Sequence, residues 1–236
     1  MKILSVECSA GPASCAIIDD GKILASSFIN AHLTHSQTLV PMIINMLSNS
    51  ATKLSDIDNI AVAVGPGSFT GLRIGISAVK GLCAATKIKC IPVSTLEGMA
   101  EHFINKNCIV CAVMDARCNQ FYNALFEIKN GNTTRLCEDR ALLGNELRAE
   151  IEKLSTTTEI IICGDGADLF YKTVSDLPNI TLADEHLKFQ SAVGIGMFAY
   201  KNINFISTIS PEELLPTYLL LPQAERELKA KTEAKK

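Results

Sequence analysis

"AVAVGPGSFTGLRIGISAVKG", residues 61–81, runs an apolar strand into a glycine-rich loop and straight on into a helix. Strand, glycine loop and helix in that order are the start of many phosphate sites, because a helix N-terminus presents unpaired N–H groups. Neither of the common signatures is met. A Walker loop needs a Lys after its last glycine, and Leu72 follows Gly71. A dinucleotide fingerprint accepts Gly65 and Gly67, but Thr70 holds its third glycine place and Gly71 comes one residue late. Two readings remain open. Gly67, Ser68 and Thr70 could hold an anion with N–H groups and hydroxyls, although Pro66 brings no N–H; or Ser68 or Thr70 caps the helix and the glycines make the turn.

Around this stretch the chain repeats itself. "ILSVECSAGPASCAIIDDGKILASS" reads as three strands with an Asp-Asp-Gly turn, and "IVCAVMDARCNQFYNALFEIKNGNTTRL" gives the same order about a hundred residues later, with Asn130-Gly131 at the turn. "IAVAVGPGSFTGLRIG" is likewise matched by "EIIICGDGADLFYKTV". Each copy carries an acid after its first strand, Glu7 and Asp115. Two diverged copies of one unit predict an α/β protein of two lobes, the layout of the actin, hexokinase and Hsp70 ATPase class. The expected lobes are residues 1–105 and 106–222, with the helix near 189–202 returning to the first, and a charged tail over 223–236. Glu7 and Asp115 are then expected to face each other across the cleft, the arrangement by which this class holds Mg-nucleotide; Asp115 is equally read as held by Arg117 or by the turn it opens. Gly164 and Gly166 could lie near a nucleotide but are read as a helix-opening turn.

Composition narrows the function. A chain of 236 residues, 47% apolar, can bury a full core. No apolar run approaches a membrane span, and Glu7 interrupts the short apolar start, so the expected location is the cytoplasm. A net charge of −3 argues against strong nucleic-acid binding by this chain alone. Nine cysteines without regular spacing read as reduced core thiols. Cys108 and Cys111 fall in one strand, where residues three apart face opposite ways and cannot share a metal. His32 and His35 lack a third ligand and bracket a helix start, where Thr34 and Gln37 have capping-box spacing. His102 and His186 stand alone, no G-x-S-x-G nucleophile context occurs, and no metal site is expected.

The strongest surface signal lies in two helices. No Asp, Glu, Lys or Arg occurs from Ile23 to Thr52, and "LVPMIINML" is apolar on more than one face: Leu39, Ile43 and Met46 on one, Val40, Ile44 and Leu47 on another. The helix after the glycine loop carries only Arg73 and Lys80, and its small residues Gly71, Gly75 and Ala78 recur three or four apart. A helix apolar on several faces is covered on several sides, either sandwiched inside its own lobe or, the reading favoured here, by a partner. The expected partner surface is His35, Ser36, Leu39, Ile43, Met46, Gly71, Leu72, Gly75, Ala78, Val79 and Leu82, and the expected cleft residues are Glu7, Ser9, Gly67, Ser68, Thr70, Asp115 and Arg117.

These motifs resemble the bacterial TsaB family. The matching residues are "GPGSFTGLRIG" (65–75), His35-Ser36 with Leu39 and Pro41, Asp115-Ala116-Arg117 with Tyr122, and "PTYL" (216–219), which together span the chain nearly end to end. Two positions depart: Glu7-Cys8-Ser9 stands where the family usually has Asp-Thr-Ser, and Cys118 where a second basic residue is usual. The resemblance implies a non-catalytic scaffold that docks on TsaD, works with the ATPase TsaE, and serves transfer of a threonylcarbamoyl group to adenosine 37 of tRNA. It implies no cofactor of the chain's own, with ATP or ADP and Mg in the assembled complex, a homodimer when the chain is alone, and contact with tRNA through the complex. The competing readings are an ATP-dependent small-molecule kinase or ATPase using the cleft, and a glycoprotease-like peptidase.

Overall fold

The computed structural model describes residues 1–31 and 33–220. His32 and the tail over 223–236, both singled out above, lie outside the described residues. The first lobe opens with three antiparallel strands, β1 (Lys2–Glu7), β2 (Ala13–Asp19) and β3 (Lys22–Ile29), and continues through α1 (His35–Asn49), β4 (Asn59–Gly65), α2 (Phe69–Thr86), β5 (Lys89–Ser94) and the short α3 (Thr95–Ala100). The second lobe repeats the plan with β6 (Cys108–Asp115), β7 (Gln120–Lys129), β8 (Asn132–Arg135), β9 (Arg140–Leu143), α4 (Gly144–Leu154), β10 (Ile160–Cys163), α5 (Ala167–Val174) and β11 (Ile180–Leu182). It ends on the short α6 (Glu185–Lys188) and on α7 (Ala192–Asn202).

The duplication is exposed by strand order. The first sheet runs β3-β2-β1-β4-β5, and the second, read from the same end, runs β8-β7-β6-β10-β11, with β9 pairing on β7. In each, the first strand pairs antiparallel with the second, and parallel with the strand before the glycine loop, β4 in the first lobe and β10 in the second. The hairpin turns match as well: Asp20 and Gly21 (φ 45° and 75°) and Asn130 and Gly131 (φ 51° and 78°) are left-handed pairs, the geometry that follows strand twist. This is the duplicated fold of the actin, hexokinase and Hsp70 ATPase type.

Both faces of each sheet are covered, so the central strands are apolar on both sides. Leu4 and Val6 of β1 pack with Leu39, Met42, Ile43, Met46, Ile76 and Val79 of α1 and α2, while Ile3 packs with Ala192, Ile195 and Ala199 of α7 on the opposite face. α7 follows the second sheet in sequence yet lies on the first. Ser5 Oγ donates to the Ala192 carbonyl (2.6 Å) and Ser14 Oγ accepts the Ala192 N–H (2.8 Å). The segment after α7 then bridges to β5 through Cys90 and Ile209, and the Thr217 N–H reaches the Val64 carbonyl (2.7 Å), bringing Tyr218 to the glycine loop. In β6, Cys108 faces one core and Cys111 the other.

Candidate functional site

The ends of β1, β4, β6 and β10 converge on a cleft of about 450 Å³ between the lobes. Its walls include Ser9, Gly67, Ser68, Thr70, Asp115 and Arg117, together with Tyr122, Asp165 and Tyr218. The glycine loop uses two of its donors on itself and on the segment after β1. Ser68 is the N-cap of α2, its Oγ accepting the Gly71 N–H (3.2 Å), and the Ser68 N–H donates to the Ser9 carbonyl (2.6 Å). Thr70 lies inside the helix. A Cβ at Gly67 would sit 2.5 Å from the Ser9 carbonyl oxygen, so glycine here permits close approach of loop and strand end. Capping and close packing thus account for Gly67, Ser68 and Gly71 of the motif.

The acids do not pair as the repeat suggests. Glu7 is sealed beneath the cleft at 1% exposure and is not among its lining. Its Oε1 accepts the Ser9 N–H, and its Oε2 has no partner. Burial pushes the Glu7 carboxyl up to about 7, against hydrogen bonds from Ser9 that oppose the rise. The acid that does share the cleft wall with Asp115 is Asp165, between the two glycines of the loop after β10. Burial carries it to about 6, opposed by the Gln190 amide that donates to it at 2.7 Å. The signal for Asp165 was its place in "GDG", the counterpart of "GPG" after β4. Asp115 is held by its own turn, Oδ1 accepting the Arg117 N–H (2.8 Å), in a β6–β7 connection where Arg117, Cys118 and Asn119 are all left-handed. Among the described residues no three His, Cys, Asp or Glu side chains are placed to share a metal ion.

The helices need a larger correction. Leu39, Ile43 and Met46 are covered by their own lobe, as are Leu72 and Val79, so none of them offers area to a partner. Gly71 and Gly75 also face inward. A Cβ at Gly71 would lie 2.1 Å from the Cys8 carbonyl oxygen and one at Gly75 2.5 Å from Cys8 Sγ, so the small-residue stripe seats α2 on the end of β1. His35 turns in as well, donating from Nε2 to the Ala10 carbonyl (2.8 Å). Leu82 is half-buried against the same core. Thr34 is the N-cap of α1, but its side chain makes no capping bond, so the capping box does not form. Apolar periodicity could not tell inside from outside here, because both faces of α1 are apolar.

What remains outward is the other stripe. Val40 and Ile44 are 40% and 59% exposed, and a groove of about 570 Å³ between α1 and α2 is lined by Ser36, Val40, Phe69, Arg73, Ile74 and Ala78, with Thr70 and Ser77 completing it. One end of the groove is an aromatic wall. Phe69 stacks on Tyr218 (centroids 4.7 Å apart), Arg73 lies 3.7 Å over the Phe69 ring, and its Nε donates to Tyr218 Oη (2.9 Å). Phe69 and Thr70 line both groove and cleft. No helix among the described residues is long and apolar enough to cross a membrane.

Comparison with known proteins places this geometry. The family model described as "TsaD: tRNA N6-adenosine threonylcarbamoyltransferase" matches residues 24–212. The tRNA threonylcarbamoyladenosine biosynthesis protein TsaB of Escherichia coli is 30% identical over 227 residues, 93% of this chain and 94% of that protein. Among solved structures, YeaZ from Pseudomonas aeruginosa superposes with a TM-score of 0.76 at 25% identity, over 92% of this chain and 99% of that one. The ADPNP-bound activator of the 2-hydroxyisocaproyl-CoA dehydratase from Clostridium difficile reaches 0.51 at 9% identity, over 86% and 96%, a likeness of fold alone. With near-complete mutual coverage of a TsaB protein, and within the wider family that the transferase model describes, this chain belongs to the TsaB family.

Proposed function

We propose that this chain is a non-catalytic scaffold in the formation of threonylcarbamoyladenosine at position 37 of tRNA, acting in the cytoplasm. It docks on the transferase TsaD through the outer face of α1 and α2, with the ATPase TsaE as third component, and meets tRNA through that assembly. In the absence of the transferase the same face pairs two copies of the chain. The observation that carries this reading is the uncharged outer stripe of Val40 and Ile44 beside the apolar groove of Phe69, Ile74 and Ala78, since contiguous apolar surface of this kind marks an interaction site. Arg73 is the charged residue in the groove lining and offers a cation to a partner carboxylate or carbonyl. The use of the Ser68 and Gly71 N–H groups within the loop and by Ser9 supports an accessory role over phosphate chemistry.

A second reading, ATP turnover by the chain itself, is favoured by one observation: Asp115 and Asp165 share the cleft wall. One experiment separates the two. The purified chain alone should neither modify tRNA nor hydrolyse ATP, and addition of transferase and ATPase should restore modified adenosine. ATP turnover by the lone chain that disappears in Asp115→Ala would replace the scaffold with an enzyme.

A further inference from the structure

Cys83, in the last turns of α2, and Cys90, the second residue of β5, face each other across the connection between the two elements. Their sulfurs are 3.3 Å apart, and they are the one cysteine pair in hydrogen-bonding contact among the described residues. The contact is built by the chain's course. Lys87 takes a left-handed conformation (φ 62°) and returns its N–H to the Cys83 carbonyl (2.7 Å), which ends the helix and turns the chain into β5. Cys90 is fixed from both sides: its N–H and C=O bond Ile209 (both 2.9 Å), and it pairs with Ile60 of β4. Both thiols are fully buried, but Cys83 forms part of the wall of a cavity of about 240 Å³ with Ala84, Lys87, Ile88 and Pro211. The cavity thus comes up against Cys83, whose sulfur has its partner already in place.

We propose that Cys83 and Cys90 form a redox-modification site, in which a hydroperoxide entering through this cavity joins the two sulfurs in a disulfide that ties the end of α2 to β5. The Cys83 sulfur attacks the terminal peroxide oxygen, the O–O bond breaks, and the thiol proton leaves with the alkoxide as an alcohol, giving a sulfenic acid. The Cys90 sulfur then attacks the Cys83 sulfur, the S–O bond breaks, and the hydroxyl leaves with the Cys90 proton as water. Two thiols lose two electrons and the hydroperoxide gains them. Closing 3.3 Å to a bonded separation of about 2.05 Å requires a movement of little more than 1 Å, within reach of side-chain rotation. The hydrogen bond the two thiols share lowers the Cys90 thiol and, with burial, raises the Cys83 thiol, so attack by Cys83 on the peroxide is the slow step and resolution by Cys90 the fast one. No other two cysteine sulfurs among the described residues are in hydrogen-bonding contact; Cys15 Sγ contacts Met46 Sδ, Cys111 Sγ accepts the Asn123 amide, and Cys118 is exposed.

The test uses the full chain carrying Cys118→Ser, which removes the exposed competitor. After tert-butyl hydroperoxide, free thiols are counted under denaturing conditions and the protein is digested without reductant. Trypsin cuts at Lys87 and Lys89 and so separates the two cysteines. The expected result is the loss of two thiols per chain and a linked pair of peptides, 81–87 with 90–106, that reductant releases. Cys90→Ala, checked by melting to be folded, should lose the linked pair and leave Cys83 trapped by dimedone as a sulfenic acid. Recovery of both Cys83 and Cys90 as free thiols after the half-buried Cys137 has been oxidised would overturn the proposal, as would a linkage that forms only above the melting temperature.

Discussion

The two lobes place equivalent helix pairs on equivalent sheets and give them opposite surfaces. α4 in the second lobe carries Glu146, Arg148, Glu150, Glu152 and Lys153, with Arg148 paired to Asp176 (2.7 Å) and Arg140 to Glu150 (2.6 Å). α1 in the first lobe carries no Asp, Glu, Lys or Arg at all. Inside, both helix pairs do the same work, Leu147 and Ile151 burying against the second sheet as Leu39 and Ile43 bury against the first. One fold thus has one lobe whose outer helix is charged and one whose outer helix α1 carries no charge and exposes Val40 and Ile44. The difference carries the proposed docking surface better than the apolar content of the helices does, since the inner residues are apolar in both lobes for reasons of folding alone.

Changes to the inner face of α2 should have the largest effect. Gly71→Val puts a side chain where even a Cβ meets the Cys8 carbonyl, so the first lobe should lose more than about 3 kcal/mol. A melting curve checks this, and a near-native melt would mean that α2 can lift off β1 at little cost.

The strand-end acids come next, where the lobes differ again: Glu7 is sealed and Asp115 opens on the cleft. A carboxyl raised from 4.5 to about 7 by folding keeps its proton in the folded chain while the unfolded chain has lost it. Its contribution favours folding below about pH 4.5 and is lost as pH rises to 7, and Asp165 adds the same sign between 3.8 and about 6. Glu7→Gln should therefore flatten the fall in stability over pH 5–7 and raise stability at pH 8 by up to about 3 kcal/mol. Denaturant titration at several pH values reads this, and an unchanged slope would show that Glu7 ionises normally.

The smallest effect belongs to the cap. Ser68→Ala should cost about 0.5–2 kcal/mol and leave ADP-dependent shifts in melting unchanged; a loss of such a shift without loss of stability would return the loop to phosphate binding.

Much of this architecture was legible in the sequence. The alternating strands, the Asp-Gly and Asn-Gly turns and the recurrence of strand, glycine loop and helix report local backbone geometry, which neighbouring residues encode. The site was legible in part. Ser68 could be named as a cap because its spacing to Gly71 is local, whereas Glu7 and Asp165 exchanged places because burial depends on what α7 and the neighbouring loops cover. The faces of α1 were assigned the wrong way round for the same reason: Leu39, Ile43 and Met46 are as apolar as Val40 and Ile44, and only the sheet beneath decides which stripe is outside.

The most direct test of the contrast between the lobes places one charge on each outer face. Ile44 and Leu169 are both exposed apolar residues, at 59% and 47%, on α1 and α5. Ile44→Asp and Leu169→Asp are each titrated against the transferase partner, with melting curves for both. Ile44→Asp should weaken binding about tenfold or more, as for a charge set into an interface, while Leu169→Asp stays within about twofold and both melt near the parent. Equal affinities for the two variants, or a loss confined to Leu169→Asp, would contradict the assignment of the first lobe's outer helices as the docking surface.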